Sequence, residues 1–384
     1  MRANQVMQLS ERIKNIDKSD TLAMDERVSE LEADGIDIID LSTGEPDLVA
    51  PEHVRDAAAD ALARGETDYT VSRGLPEFRD AIARKLRDEN DLVVDRDDII
   101  VTPGSKQALF EAIFSILNDG DEVVLPEPAW VSYEPMIKMA GGRVNRVSLD
   151  SETGFGLDGV DLESTISDET QLMVVNTPSI SSAVFSRREL ERIRDLAVDH
   201  DFWVLTDELY EKLVYDGEHH SIGGLDGMAD RTVTVNGFSK GYAMAGFRLG
   251  YLAGPEDVID EASKIQSHTV SCATTFSQYG GIAALEGPQE PIDEMRRTYR
   301  SRRDTLVEEL QDAGTDISPP EGAFYLFIPV DTDNDVALAE EVLKQEHVAI
   351  MPGSVYGVDN SIRLSYTADE EAVVEGVRRL KKHL

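Results

Sequence analysis

The chain has 384 residues, enough for a large core and, by length alone, two or three domains. Its 75 acidic residues against 37 basic ones leave a net charge of −38, which excludes nucleic acid and anionic membranes as partners by simple repulsion. One cysteine, Cys272, excludes an intrachain disulfide, and no apolar run of about 18 residues occurs, so a soluble cytoplasmic protein is the expectation.

The acids are scattered through the chain and do not form one tail. A dispersed excess of this kind reads as a solvated acidic coat, such as halophilic proteins carry. Cys272 reads as a small buried apolar residue.

Leu22, Met24, Val28 and Leu31 recur at helical spacing up to Gly35, and residues 36–41 read as a short strand. The turn Ser42-Thr43-Gly44-Glu45-Pro46-Asp47 follows, its glycine letting backbone approach a ligand. Helices over 51–65 and 75–90, the second with Pro76 near its start, bracket a loop that contains Tyr69 and Gly74.

From Ile99 onward strands and helices alternate, the pattern of a mainly parallel sheet with helices on both faces. A strand over 99–101 meets Thr102-Pro103-Gly104-Ser105-Lys106-Gln107, which opens a helix through 117. A small-residue turn at a helix start is an anion site, because free N–H groups and the helix dipole point outward together. Neither a P-loop nor a dinucleotide fingerprint is present. After a strand over 123–125, Pro126 and Pro128 stiffen the approach to Trp130, which reads either as an aromatic platform or as a core residue.

Residues 172–175 form a strand and 188–199 a helix. An apolar strand over 202–205 then ends in Thr206-Asp207-Glu208-Leu209-Tyr210. Acids at a strand's carboxyl end lie where open α/β sheets bind ligands. Glu208 reads as a structural or surface acid. A strand over 232–235 ends in Asn236-Gly237-Phe238-Ser239, which delivers Lys240, and Arg248 follows. Alone, these two would read as a loop cation and a structural ion pair. A helix over 256–267, another reaching Glu286 and a long one over 295–313 lead to strands over 323–328, 348–351 and 362–366. The expected division is 1–45 as an N-terminal segment joining a small domain, 46–290 as a large α/β domain and 291–384 as a small α+β domain.

Ser239-Lys240-Gly241-Tyr242-Ala243-Met244-Ala245-Gly246-Phe247-Arg248-Leu249-Gly250 resembles the S-K-x-x-A-M-x-G-x-R-x-G motif of the fold-type I pyridoxal-phosphate (PLP) enzymes, specifically the class I and II aminotransferases of the aspartate and aromatic kind. The other stretches follow in that family's order over nearly the whole chain. The resemblance implies an α/β fold with a mainly parallel, seven-stranded-type sheet and a small α+β domain. It implies PLP as cofactor, bound as an imine by Lys240, whose freed amine then moves the substrate Cα proton. Arg248 would grip the phosphate with Gly104, Ser105, Lys106 and Ser239 around it. Asp207 would pair with the pyridine nitrogen, Tyr210 would donate to the phenolic oxygen and Trp130 would stack on the ring. Gly44 would lie by the substrate carboxylate, which Arg363 in Asn360-Ser361-Ile362-Arg363-Leu364-Ser365 would bind. Tyr69 would reach across a homodimer interface to the partner subunit's phosphate. Lys106 has two readings, a cation for a distal substrate carboxylate and a helix-start surface charge.

One motif departs. Where the family reads N-S-P-x-N-P-T-G-A, this chain has Asn176-Thr177-Pro178-Ser179-Ile180-Ser181-Ser182-Ala183, one residue shorter. The family's asparagine there donates to the cofactor's phenolic oxygen; Ile180 has no donor, a loss of about 1–3 kcal/mol. Asn176 is the expected partial substitute. The loop over 357–361 before Arg363 is also short. The implied activity is ping-pong transfer of an amino group from an L-amino acid to a 2-oxo acid such as 2-oxoglutarate. Aspartate or glutamate is the first choice of donor and aromatic amino acids the second, with no metal. A PLP-dependent C–S lyase and a degenerate PLP-binding protein stand as alternatives.

Overall fold

The computed structural model describes residues 10–14, 16–18 and 20–384, so residues 1–9 of the expected N-terminal segment lie outside it. Seven strands form the main sheet: Ile99–Thr102 (β1), Glu122–Glu127 (β2), Arg143–Ser148 (β3), Thr170–Asn176 (β4), Trp203–Asp207 (β5), Thr232–Gly237 (β6) and Gly250–Ala253 (β7). Their order is β1-β7-β6-β5-β4-β2-β3, and β7 alone runs against the others. The mainly parallel sheet read from the alternation of elements is thus present.

The two faces of this sheet follow from residue alternation, since neighbours along a strand point to opposite sides. Leu172, Val174, Leu205, Val233 and Val235 join one buried cluster with Ala108, Leu109, Ala112 and Ile113 of the helix Ser105–Ile116. Met173, Val175 and Val204 join another with Leu190, Ile193 and Leu196 of the helix Arg187–His200. Covering both faces explains why these strands read as unbroken apolar runs. Ser186 and Glu189 start the second helix with a capping box, each side chain satisfying the other's free N–H.

A second sheet of three antiparallel strands lies toward the carboxyl end, Met351–Pro352, Ser361–Ser365 and Tyr325–Pro329 in that order. Ile39–Asp40 pairs in parallel with Val348–Ala349, which ties the amino-terminal segment to this end of the chain. Helix Glu290–Asp312 precedes the second sheet, and it starts five residues before the sequence reading because Pro291 is tolerated in its first turn.

The expected strand over 36–41 shrinks to two paired residues, and that over 348–351 is interrupted at Ile350. Cys272 is partly exposed, not buried, since it follows Ser271 at φ 66° in a turn between helices. Among the described residues no helix is long and apolar enough to cross a membrane. The carboxyl ends of β4, β5 and β6 converge on Asn176, Asp207 and the turn to Lys240, where such sheets bind ligands.

Candidate active site

Strand β6 runs into Phe238-Ser239-Lys240, and Ser239 is buried on that turn. The Lys240 ammonium donates to the Gly44 carbonyl and lies 5.9 Å from the centre of the Phe324 ring. Burial lowers its pKa to about 8; Glu45 opposes that shift, while Arg363, Arg248 and Lys106 add to it by repulsion. An amine so placed is neutral near physiological pH far more often than an ordinary lysine, and a neutral amine is a nucleophile and a base.

Asp207 closes β5 and is 5% exposed. Its Oδ2 accepts from the Tyr133 hydroxyl at 2.7 Å and its Oδ1 from the Leu209 N–H at 3.2 Å. Burial pushes its carboxyl up to about 6; the two donors and Lys240 pull it down, and Glu208 pushes it up. Tyr210 meets the Tyr325 hydroxyl at 2.9 Å, and its own proton is held well above the usual range by burial.

The turn at the start of helix Ser105–Ile116 is shaped for an anion. Gly104 has φ 85°, and a Cβ there would run into the Arg248 guanidinium. Arg248 also has a left-handed backbone, φ 51°, and its Nη1 donates to the Ala245 carbonyl at 2.9 Å. Ser105 turns its hydroxyl to the Asn236 carbonyl at 3.0 Å, so the backbone N–H groups of this helix start are what remain for a ligand.

Lys106 lies 4.9 Å from the centre of the Trp130 ring, its pKa lowered by burial and by Arg248. Arg363 is 3% exposed, stacked between Tyr325 at 4.2 Å and Tyr356 at 4.3 Å, with Nη2 donating to the Ser42 carbonyl at 3.0 Å. Among the described residues nothing pairs with its buried Nε. Gly44 is required by close approach, since a Cβ would overlap the Tyr325 hydroxyl. Tyr69 is 87% exposed on a loop held by Ser72 to the Ser271 carbonyl at 2.8 Å, apart from this cluster.

Sequence reasoning missed Tyr133, Tyr325 and Tyr356. The first is one aromatic three residues past Trp130, and the others lie in or beside strands that were read for their apolar pattern alone. Asn176 corrects an expectation. Both its amide hydrogens are engaged, by the Pro178 carbonyl at 3.2 Å and the Asp207 carbonyl at 2.9 Å, so it has no donor to lend. Ile180 is 2% exposed in the apolar cluster that contains Tyr210, while Ser179 and Ser181 pair through their hydroxyls at 2.5 Å.

Glu208 is fully buried, not on the surface. It accepts from Ser221 at 2.7 Å, Asn90 at 2.9 Å, and Thr206 and His219 at 3.2 Å each. Glu208, Glu211 and His219 have the spacing of a metal group, but the Lys85 ammonium already bonds Glu211 and supplies the positive charge.

A phosphorylated pyridine aldehyde fits this donor set. The glycine-lined helix start and Arg248 suit its phosphate, buried Asp207 suits a protonated ring nitrogen, and the lowered lysine suits its carbonyl.

Residues 36–380 match the family model described as aminotransferase class I and II. The chain is 40% identical to a probable aspartate/prephenate aminotransferase of Aquifex aeolicus and 38% identical to an aspartate aminotransferase of Bacillus subtilis, with 98% of both chains covered in each case. Among solved structures, the aspartate aminotransferase of Thermus thermophilus with maleate superposes with a TM-score of 0.95 at 39% identity, over 98% of this chain and 100% of that one.

Proposed function

Since the chain belongs to the class I and II aminotransferases, PLP-dependent enzymes that move an amino group between an amino acid and a 2-oxo acid, we propose that Lys240 carries the cofactor and that aspartate and glutamate are the preferred donors. The observation that carries this reading is the Lys240 amine, its pKa lowered to about 8 and its neighbours Arg363, Arg248 and Lys106 all cationic. PLP, when bound, supplies an electron sink for the substrate carbanion and a carbonyl that takes the amino group.

The chain's own residues do the rest. Lys240 Nζ would hold the cofactor, and its amine, when free, would take the proton from the substrate Cα. Arg363 offers its guanidinium fork to the α-carboxylate, with the free Nε as an added donor. Asp207 would serve as counter-charge to a protonated ring nitrogen, and Tyr210 would donate its hydroxyl to the phenolic oxygen. Gly104, Ser105 and Arg248 would hold the phosphate. Trp130 forms a face of the pocket, and Lys106 above it takes the second carboxylate of an acidic substrate.

The discriminating experiment compares kcat/KM for aspartate and phenylalanine in the natural protein and in Lys106→Met. A roughly tenfold loss confined to aspartate is expected for one charged hydrogen bond. Equal effects on both donors would remove Lys106 from the substrate site, and a preference for phenylalanine in the natural protein would favour the aromatic reading. The lyase alternative is not favoured.

The same reading makes the molecule a cytoplasmic homodimer, with exposed Tyr69 completing the site of the partner, and keeps the three-part division of the chain at 45 and 290. It also makes the acidic coat a salt adaptation. Light scattering that reports a monomer would sink the first, and activity that declines steadily from low to high salt the last.

A further inference from the structure

Asp207 is a carboxylate in an unfavourable place. It is buried, its neighbour in the chain is the fully buried Glu208, and its own burial pushes its proton affinity up. An anion so placed needs donors. The structure provides two, one of them an unremarkable backbone N–H from Leu209. The other is a side chain from a different strand's loop, the Tyr133 hydroxyl, which begins the helix Tyr133–Met139 and reaches Oδ2 at 2.7 Å.

Among the described residues the Tyr133 hydroxyl has no other hydrogen-bond partner. It is 1% exposed, its ring stands edge-on to Trp130 at 5.4 Å and 80°, and its phenol proton is held far above the usual range by burial and by Asp207. A phenol that keeps its proton can only donate to the carboxylate. Glu208 opposes it. That side chain points away from Asp207 into a cage of Asn90, Thr206, His219 and Ser221, which holds its carboxylate in place one residue along.

We propose that Tyr133 is a positioning residue for amino transfer: its hydroxyl fixes the Asp207 carboxylate and keeps it an anion against the buried charge of Glu208, leaving the remaining lone pairs of that carboxylate for a protonated ring nitrogen. The titratable side chains acting on Asp207 are Tyr133, Lys240 and Tyr210 around it and Glu208, the next residue, turned away into its cage with His219, Glu211 and Lys85. Tyr133 pulls the Asp207 proton affinity down and Glu208 pulls it up, so their removal has opposite signs. The proposal rests on Asp207 as the partner of the ring nitrogen.

The test titrates cofactor-free protein with PLP and with its analogue carrying carbon in place of the ring nitrogen, from pH 5 to pH 8. For Tyr133→Phe, PLP binding should weaken roughly tenfold at pH 6, the size of one hydrogen bond to a charge, and the gap should narrow toward pH 8. The acid midpoint of the affinity profile moves up in Tyr133→Phe and down in Glu208→Gln, while the analogue binds Tyr133→Phe and the natural protein alike. Equal weakening for PLP and analogue would mean lost packing only and would overturn the proposal, as would midpoints that move in the same direction in both variants. If the natural protein binds both ligands equally, the Asp207 reading itself falls and takes this proposal with it.

Discussion

Strands β4 and β5 are neighbours in register, Asn176 opposite Asp207, yet their carboxyl ends are built from different materials. At the end of β5 the chain alternates. Asp207 and Tyr210 face the pocket, while Glu208 and Glu211 face a cage formed by Lys85, Asn90, His219 and Ser221. At the end of β4 the side chains mostly hold backbone. Asn176 ties the Pro178 and Asp207 carbonyls, Ser182 donates to the Tyr325 carbonyl at 2.7 Å and accepts its N–H at 3.1 Å, and Ile180 fills an apolar cluster. A charged cage fails when any one member is changed, because the remaining charges are left buried and unpaired. A loop that serves backbone groups tolerates changed side chains, and there the family's N-P-T-G core is replaced.

The register partners themselves give the largest contrast. Asp207→Ala should lower kcat/KM by at least about a hundredfold, the scale of lost electrostatic stabilisation at a reacting centre. Asn176→Ala should cost less than about tenfold in kcat/KM and about 1–2 kcal/mol of stability, since two backbone carbonyls lose a donor. Steady-state kinetics with denaturant melts of both variants would break the comparison if the two effects were equal.

Lys85→Met tests the cage directly. Leaving Glu211 without its ammonium should cost about 3–5 kcal/mol, and a loss below about 1 kcal/mol would show that the cage contributes little. On the other side, Ile180→Asn places an amide in an apolar cluster and should cost about 1–3 kcal/mol of stability by urea unfolding. An unchanged midpoint would mean that Ile180 already faces the pocket.

The smallest effect concerns a carboxylate with no cage. For Glu211, burial is outweighed by Lys85, His219 and Lys212, which hold its carboxyl down to about 2. That stabilisation is present above pH 4.5 and lost as pH falls toward 2. Glu111 is fully buried too, among the described residues its carboxylate accepts from Gln107 alone, at 2.9 Å, and burial raises it to about 7. The sign is reversed: its protonated form supports the fold below pH 4.5, and that support is lost as pH rises through 7. Glu111→Gln should therefore raise stability at pH 8 by about 1–2 kcal/mol and change little at pH 4. Thermal melts at the two pH values check this.

The contrast also explains what was legible in the sequence. Asp207, Lys240, Arg248 and Arg363 stand in ordered motifs, and the alternation from Ile99 onward set the parallel sheet. Strand β3, RVNRVS, escaped because it is an edge strand with much of its surface exposed and no apolar run. Tyr133 escaped because its partner Asp207 is 74 residues away and nothing local marks the contact. The cage was hidden for the same reason: Glu208 looks like any acid until Asn90, 118 residues earlier in the chain, reaches its carboxylate. Asn176 misled because its amide is polar and near, and only its two backbone carbonyls show that it is occupied.

Attachment of PLP to the neutral Lys240 amine is read out by the visible absorption of purified protein mixed with PLP, before and after L-aspartate. A band that forms faster as pH rises through about 8, bleaches on adding aspartate and is absent in Lys240→Ala is the predicted result. A natural protein with no band, or a Lys240→Ala variant that keeps it, would mean that Lys240 does not carry the cofactor.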